Sequence, residues 1–129
     1  MGIYIASKIV KLMNQNGNPI KGGKALVLGI TFKENCPDIR NSKVVDVINE
    51  LIDFGINVDV YDPLADKQEV KVEYNIDLIP EPQGTYHAVV MAVSHNEFKT
   101  LEIDKLKNGH GIIYDIKSFL PGDAVDGRL

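Results

Sequence analysis

The run from Lys24 to Asp46, KALVLGITFKENCPDIRNSKVVD, limits the possible folds more than any other stretch of the chain. It opens on a short apolar segment, Ala25 to Leu28, closed by Gly29, which is the pattern of a buried strand. It ends in a helix, because Val44, Val45, Val47, Ile48, Leu51 and Ile52 recur at helical spacing. Between the two lies a polar loop, Thr31 to Ser42, carrying Lys33, Glu34, Asp38 and Arg40. Strand, loop and helix in that order form the first half of a βαβ unit. In open α/β sheets ligands bind beyond the carboxyl ends of the strands, so this loop is the place to look for chemistry. It is neither a G-x-G-x-x-G fingerprint nor a loop ending in G-K-[ST], since Gly29 is followed by Ile30, Thr31, Phe32 and Lys33. An anion held here depends on the side chains of Lys33 and Arg40 rather than on close backbone approach.

The remaining periodicities extend the same plan. Residues 2 to about 16 read as a helix with Ile5, Ile9, Leu12 and Met13 on one face, stopped by Asn16-Gly17-Asn18-Pro19. Asn41 or Ser42 is the expected N-cap of the helix from about 42 to 54, and Gly55 its stop. Ile56 to Tyr61 alternates as a second strand and ends at Asp62-Pro63. An acid there holds a ribose hydroxyl in a dinucleotide site, but turn chemistry before proline is the better reading of Asp62. Residues 64 to 86 are the least regular, with room for a short strand at Val70 to Tyr74 and a loop at Pro80 to Gly84. His87 to Val93 is a near-continuous apolar strand, Glu97 to Leu106 a short helix or two turns, and Gly111 to Asp115 the last strand. Asp126 to Leu129 reads as an exposed tail. The sum is an α/β chain: a small, Rossmann-like, open parallel sheet with helices on both faces.

Composition removes several classes of function. The 129 residues carry 14 Lys plus Arg against 18 Asp plus Glu, a net charge of -4, which leaves no electrostatic footprint for nucleic acid or a membrane surface. There is no membrane-length apolar run and no secretory pattern, so the expected compartment is the cytoplasm. The single cysteine, Cys36, cannot form an internal disulfide, and His87, His95 and His110 lack metal-ligand spacing. Both His87 and His95 are expected to be structural, with His95 close enough to a strand end to border a ligand cleft.

The loop and two later pieces carry a family resemblance. GITFKENCPDIRNSKVVDV resembles the start of the C-terminal, UDP-binding domain of the UDP-glucose/GDP-mannose dehydrogenase family, whose pattern runs G-x-x-F-K, a few polar residues, then D-x-R. Gly29, Phe32, Lys33, Asp38 and Arg40 match in order and spacing, and Val60-Tyr61-Asp62-Pro63 and Tyr114-Asp115-Ile116-Lys117 also fit. The wording is most similar to the branch that oxidises UDP-N-acetylhexosamines.

The resemblance implies that residues 1–20 are the distal part of an interdomain linking helix and residues 21–129 the nucleotide-sugar-binding domain of a longer enzyme. That enzyme oxidises the sugar C6 alcohol to a carboxylate in two NAD-dependent steps through a cysteine-bound thiohemiacetal, supplying polysaccharide precursors. The family places Phe32, Lys33 and Lys117 on the UDP-sugar, Arg40 beside an NAD bound mainly by the N-terminal domain, and Asp38 in support of the loop. No catalytic residue and no metal ligand are expected in this stretch. The family nucleophile sits in an upstream GFGGxCxxKD motif, which makes Cys36 non-catalytic and the isolated chain inactive. The remaining domains of the parent enzyme are the expected partners, and the parent is expected to be a homo-oligomer. The alternative is a non-enzymatic nucleotide-binding regulatory module on the same fold.

Overall fold

The computed structural model describes residues 2–117, 120, 122 and 125–128. Helix α1 (Gly2–Gln15) leads into β1 (Lys24–Leu28), then α2 (Val44–Asp53), β2 (Asn57–Tyr61), α3 (Lys67–Tyr74) and β3 (Tyr86–Met91). A 3-10 helix (Asn96–Thr100) and the single turn α4 (Ile103–Leu106) precede β4 (Lys107–Asp115) and a short β5 (Gly127–Arg128). The strands form one sheet in the order β2-β1-β3-β4-β5, and every pairing is parallel.

Alternation along the strands divides the core between two faces. Ala25, Val27, Ala88, Val90, Ile112 and Tyr114 face α1 and α2, whose Ile5, Ile9, Met13, Ile48 and Leu51 complete that layer. Leu26, Leu28, Val89, Met91 and Ile113 point the other way, onto Tyr86, Phe98 and Ile103. A sheet covered on both sides needs apolar residues at every position, and this accounts for runs such as AVVM in β3. The second face is closed by the short 3-10 and α4 segments, so the expected helices on both faces are present but unequal. Helix α1 is anchored in the same core as the sheet: Ile9 and Met13 are fully buried. Each such side chain contributes roughly 1.5–3 kcal/mol of burial.

Three expectations are corrected. Val70 to Tyr74 is helical, not a strand: Asp66 caps α3 by accepting from Gln68 N and Glu69 N, and Asn75 closes it in the left-handed region at φ 58°. The VKV alternation suggested a strand, yet Val70 is 0% exposed and Val72 80%, so the two valines occupy opposite sides of a helix. Neither Asn41 nor Ser42 caps α2; Lys43 holds the N-cap position and makes no side-chain bond there. Finally, the expected tail contains β5, with Gly127 and Arg128 registered on Tyr114 and Asp115; Leu129 lies outside the described residues.

Candidate functional site

The strand order places a topological switch point between β1 and β3, because the chain leaves β1 toward β2 on one side and returns to β3 on the other. Connections diverge there and leave a crevice beyond the strand ends. Gly29 makes the close fit at this point possible. Its φ is +98°, and a Cβ on it would lie 2.5 Å from the Cβ of Val93. Only glycine lets the end of β1 turn against the segment after β3.

A cleft of about 320 Å³ opens at the switch point. Thr31 and Phe32 line it from the β1 loop, Val93 from the segment after β3, Lys117 from beyond β4, and Asn41 and Lys43 from the approach to α2. Two of the expected substrate residues, Phe32 and Lys117, are therefore brought to one cavity, although nothing in the local sequence links them. Phe32 is 55% exposed, a large aromatic ring left at the cleft mouth. Lys117 is exposed, and its backbone N–H is held at 2.9 Å by Asp115 Oδ1.

Lys33 is exposed on the same loop but does not line the cleft. Arg40 borders a different groove, of about 460 Å³, with Ile39, Asp66, Gln68, Glu69, Val72 and Glu73. Asp38 supports the loop twice over. Its carboxylate receives Arg40 Nε and Nη2, each at 3.0 Å, and the Arg40 backbone N–H at 2.9 Å; its backbone C=O accepts from Phe32 N at 2.7 Å. The Arg40 side chain and backbone bonds hold the Asp38 carboxyl down to about 2 and raise the guanidinium. Cys36 sits half-buried between Asn35 and Pro37. No cluster of His, Cys, Asp or Glu suited to a metal occurs among the described residues.

Beneath the loop lies a buried polar knot. Asp62 Oδ2 accepts from Ile30 N at 2.8 Å and Thr31 N at 3.2 Å, while Oδ1 accepts from Leu64 N and Ala65 N. His95 Nε2 lies 3.0 Å from the same Oδ2 and 3.1 Å from Thr31 Oγ1. Burial alone would raise the Asp62 carboxyl, but the bonds from His95 and the Ile30 and Leu64 N–H groups outweigh it and hold the group below its usual value. The side chain has no exposed surface, and both oxygens are committed inside the protein. The ribose reading of Asp62 is therefore excluded and the turn reading stands, with the added task of tying β1, β2 and β3 together. His87 is structural as expected, its Nδ1 accepting from Lys24 N at 2.9 Å. The sequence signal for the knot was present, an Asp and a His each just past a strand end, but the contact between them is long-range.

An all-parallel sheet of order 2-1-3-4-5, with a lined cleft at its switch point, defines the chain as a Rossmann-like ligand-binding domain. Residues 26–122 match the model of the UDP-glucose/GDP-mannose dehydrogenase family, UDP binding domain, and the chain belongs to that family. It is 41% identical to the UDP-N-acetyl-D-glucosamine 6-dehydrogenase of Pseudomonas aeruginosa, over 100% of this chain and 32% of that protein. It is 40% identical to the enzyme of the same name from Salmonella typhi, over 100% of this chain and 31% of the relative. The structure of the UDP-N-acetyl-mannosamine dehydrogenase Cap5O from S. aureus superposes with a TM-score of 0.73 at 22% identity, covering 98% of this chain and 29% of that one. This chain thus spans about a third of the length of the curated relatives it matches. Among the described residues no helix is long and apolar enough to cross a membrane.

Proposed function

We propose that this chain is the nucleotide-sugar-holding domain of a cytoplasmic, NAD-dependent UDP-sugar 6-dehydrogenase that makes polysaccharide precursors. Residues 1–20 form the distal part of a linking helix and residues 21–129 the domain proper. The observation that carries this reading is the cleft at the switch point, which gathers Phe32 and Lys117 in a chain of this family. Phe32 offers a face for stacking, and Lys117 a mobile cation suited to phosphate. Lys33 lies outside the cleft on the same loop, and we assign it to the substrate as an exposed cation beside Phe32. The domain contributes proximity and orientation, leaving bond-making to other parts of the enzyme.

The chain's own residues do not form a complete site for NAD. Gly29, the one glycine of the loop, is occupied in packing against Val93, and the Ile30 and Thr31 N–H groups that follow it are taken by Asp62. Arg40 instead presents an exposed guanidinium whose Nε and Nη2 are fixed by Asp38. That is the behaviour of a residue completing a site built elsewhere, and we assign it to NAD held by another domain of a homo-oligomeric parent.

The test uses the full-length enzyme. Lys33→Ala should raise the Michaelis constant for the UDP-sugar, and Arg40→Ala that for NAD. Each loses one charge-assisted bond, about 1.5–3 kcal/mol. Unchanged constants and turnover in both variants would sink the assignment.

A further inference from the structure

We propose that His95 is a positioning residue for the nucleotide loop, acting through a ring held as the Nε2–H tautomer. The proposal rests on the reading of that loop as the nucleotide-binding element.

The side chains that the loop presents are not held by packing. Phe32 is 55% exposed and Lys33 is exposed, so their placement depends on how the backbone beneath them is fixed. Asp62 and the Asp38 carbonyl take the backbone N–H groups of Ile30, Thr31 and Phe32, and His95, which has no exposed surface, ties the loop at the Thr31 hydroxyl and at Asn35 N. Asn35 N donates to His95 Nδ1 at 2.9 Å, so Nδ1 carries a lone pair and the ring proton is on Nε2. Nε2–H is then shared between Asp62 Oδ2 at 3.0 Å and Thr31 Oγ1 at 3.1 Å. Thr31, accepting from the ring, turns its own hydroxyl hydrogen to Lys33 O at 3.1 Å. The ring therefore grips the loop at Thr31 and at Asn35, on either side of Phe32, Lys33 and Glu34. Asn35 sits in the left-handed region at φ 58°, and its Oδ1 accepts from Asn96 N at 2.8 Å, a second tie to the segment carrying His95. Phe98 packs on the imidazole at 5.3 Å between centroids and fixes its plane. A histidine that only filled core space would not commit both nitrogens to the loop and its anchor.

Two substitutions divide these bonds, because the glutamine amide nitrogen reaches roughly the place of Nε2 and the asparagine oxygen that of Nδ1. His95→Gln keeps the donor to Asp62 and Thr31 and drops the acceptor for Asn35 N–H; His95→Asn does the reverse. In wild type, 15N spectra of the ring should show the Nε2–H tautomer, and the Asn35 amide should exchange slowly with solvent. In His95→Gln the Asn35 amide should exchange faster while β1 and β3 amides stay protected. In the full-length protein its Michaelis constant for the UDP-sugar should rise about tenfold, the effect of losing about one hydrogen bond, with turnover at saturation largely kept. His95→Asn should lose more stability yet keep the Michaelis constant near wild type. Should His95→Gln fail to fold, Thr31→Val at nearly constant volume removes the hydroxyl bond to Lys33 O, which His95→Asn leaves in place, and should raise the same constant. A Nδ1–H ring overturns the proposal, as does a constant that rises in both His95 variants in step with lost stability. A wild type that shows the Nε2–H ring but binds no UDP would overturn the function proposed above. A UDP-binding wild type whose affinity ignores His95→Gln and Thr31→Val would overturn the role of His95 alone.

Discussion

Asp62 shows how one residue can couple sequence, fold and pH response. Its carboxylate takes four backbone N–H groups and the His95 ring while fully buried, and it is held below its ordinary value despite that burial. A group whose folded value is depressed adds stability above the unfolded carboxylate value, about 3.9, and that stability is lost as pH falls through the lower folded value. Asp38, held at about 2 by Arg40, acts with the same sign. Asp62→Asn is expected to cost about 3 kcal/mol at neutral pH in urea unfolding, the penalty for breaking a buried, hydrogen-bonded charge. It should also flatten the fall of stability with acid, and an unchanged acid limb would refute the part given to Asp62. The sequence placed Asp62 at a turn because Pro63 follows it. Its bond to His95 was invisible, because a contact across 33 positions leaves no local pattern.

At the scale of elements, legibility followed length and burial. Strands β1 and β3 were readable because both faces are covered and the apolar run is unbroken. Helix α3 was misread because it buries a single valine, Val70, and carries little amphipathic signal. Strand β5 was missed because two residues have no period, and its identity rests on pairing with β4. The α3 assignment makes a sharp prediction. Val72→Lys should change stability by less than about 0.5 kcal/mol, whereas Val70→Ala, emptying a buried site, should cost about 1–3 kcal/mol in thermal or urea unfolding. Equal effects would mean that the two side chains share a face, as in a strand. Asp66→Ala should remove about 1 kcal/mol through the lost cap, read in the same melts.

For the whole molecule, the sheet order gives the site its location and the loops give it chemistry. The switch point between β1 and β3 brings Phe32 and Lys117 to one cleft, while Arg40 is turned to a separate groove beside α3. That division supports a domain that binds one ligand itself and completes the site of another. The fold, the family motifs and, through the resemblance, the separation of Phe32 and Lys117 from Arg40 were legible in the sequence; the place of Lys33 outside the cleft was not, because it depends on which side of the loop each residue leaves. The most direct measurement is calorimetric titration of this chain with UDP and, separately, with NAD, in wild type and in Lys117→Ala. The account predicts measurable, weak UDP binding that Lys117→Ala diminishes, and no measurable binding of NAD. Tight stoichiometric binding of NAD, or no binding of UDP by the wild-type chain, would contradict it.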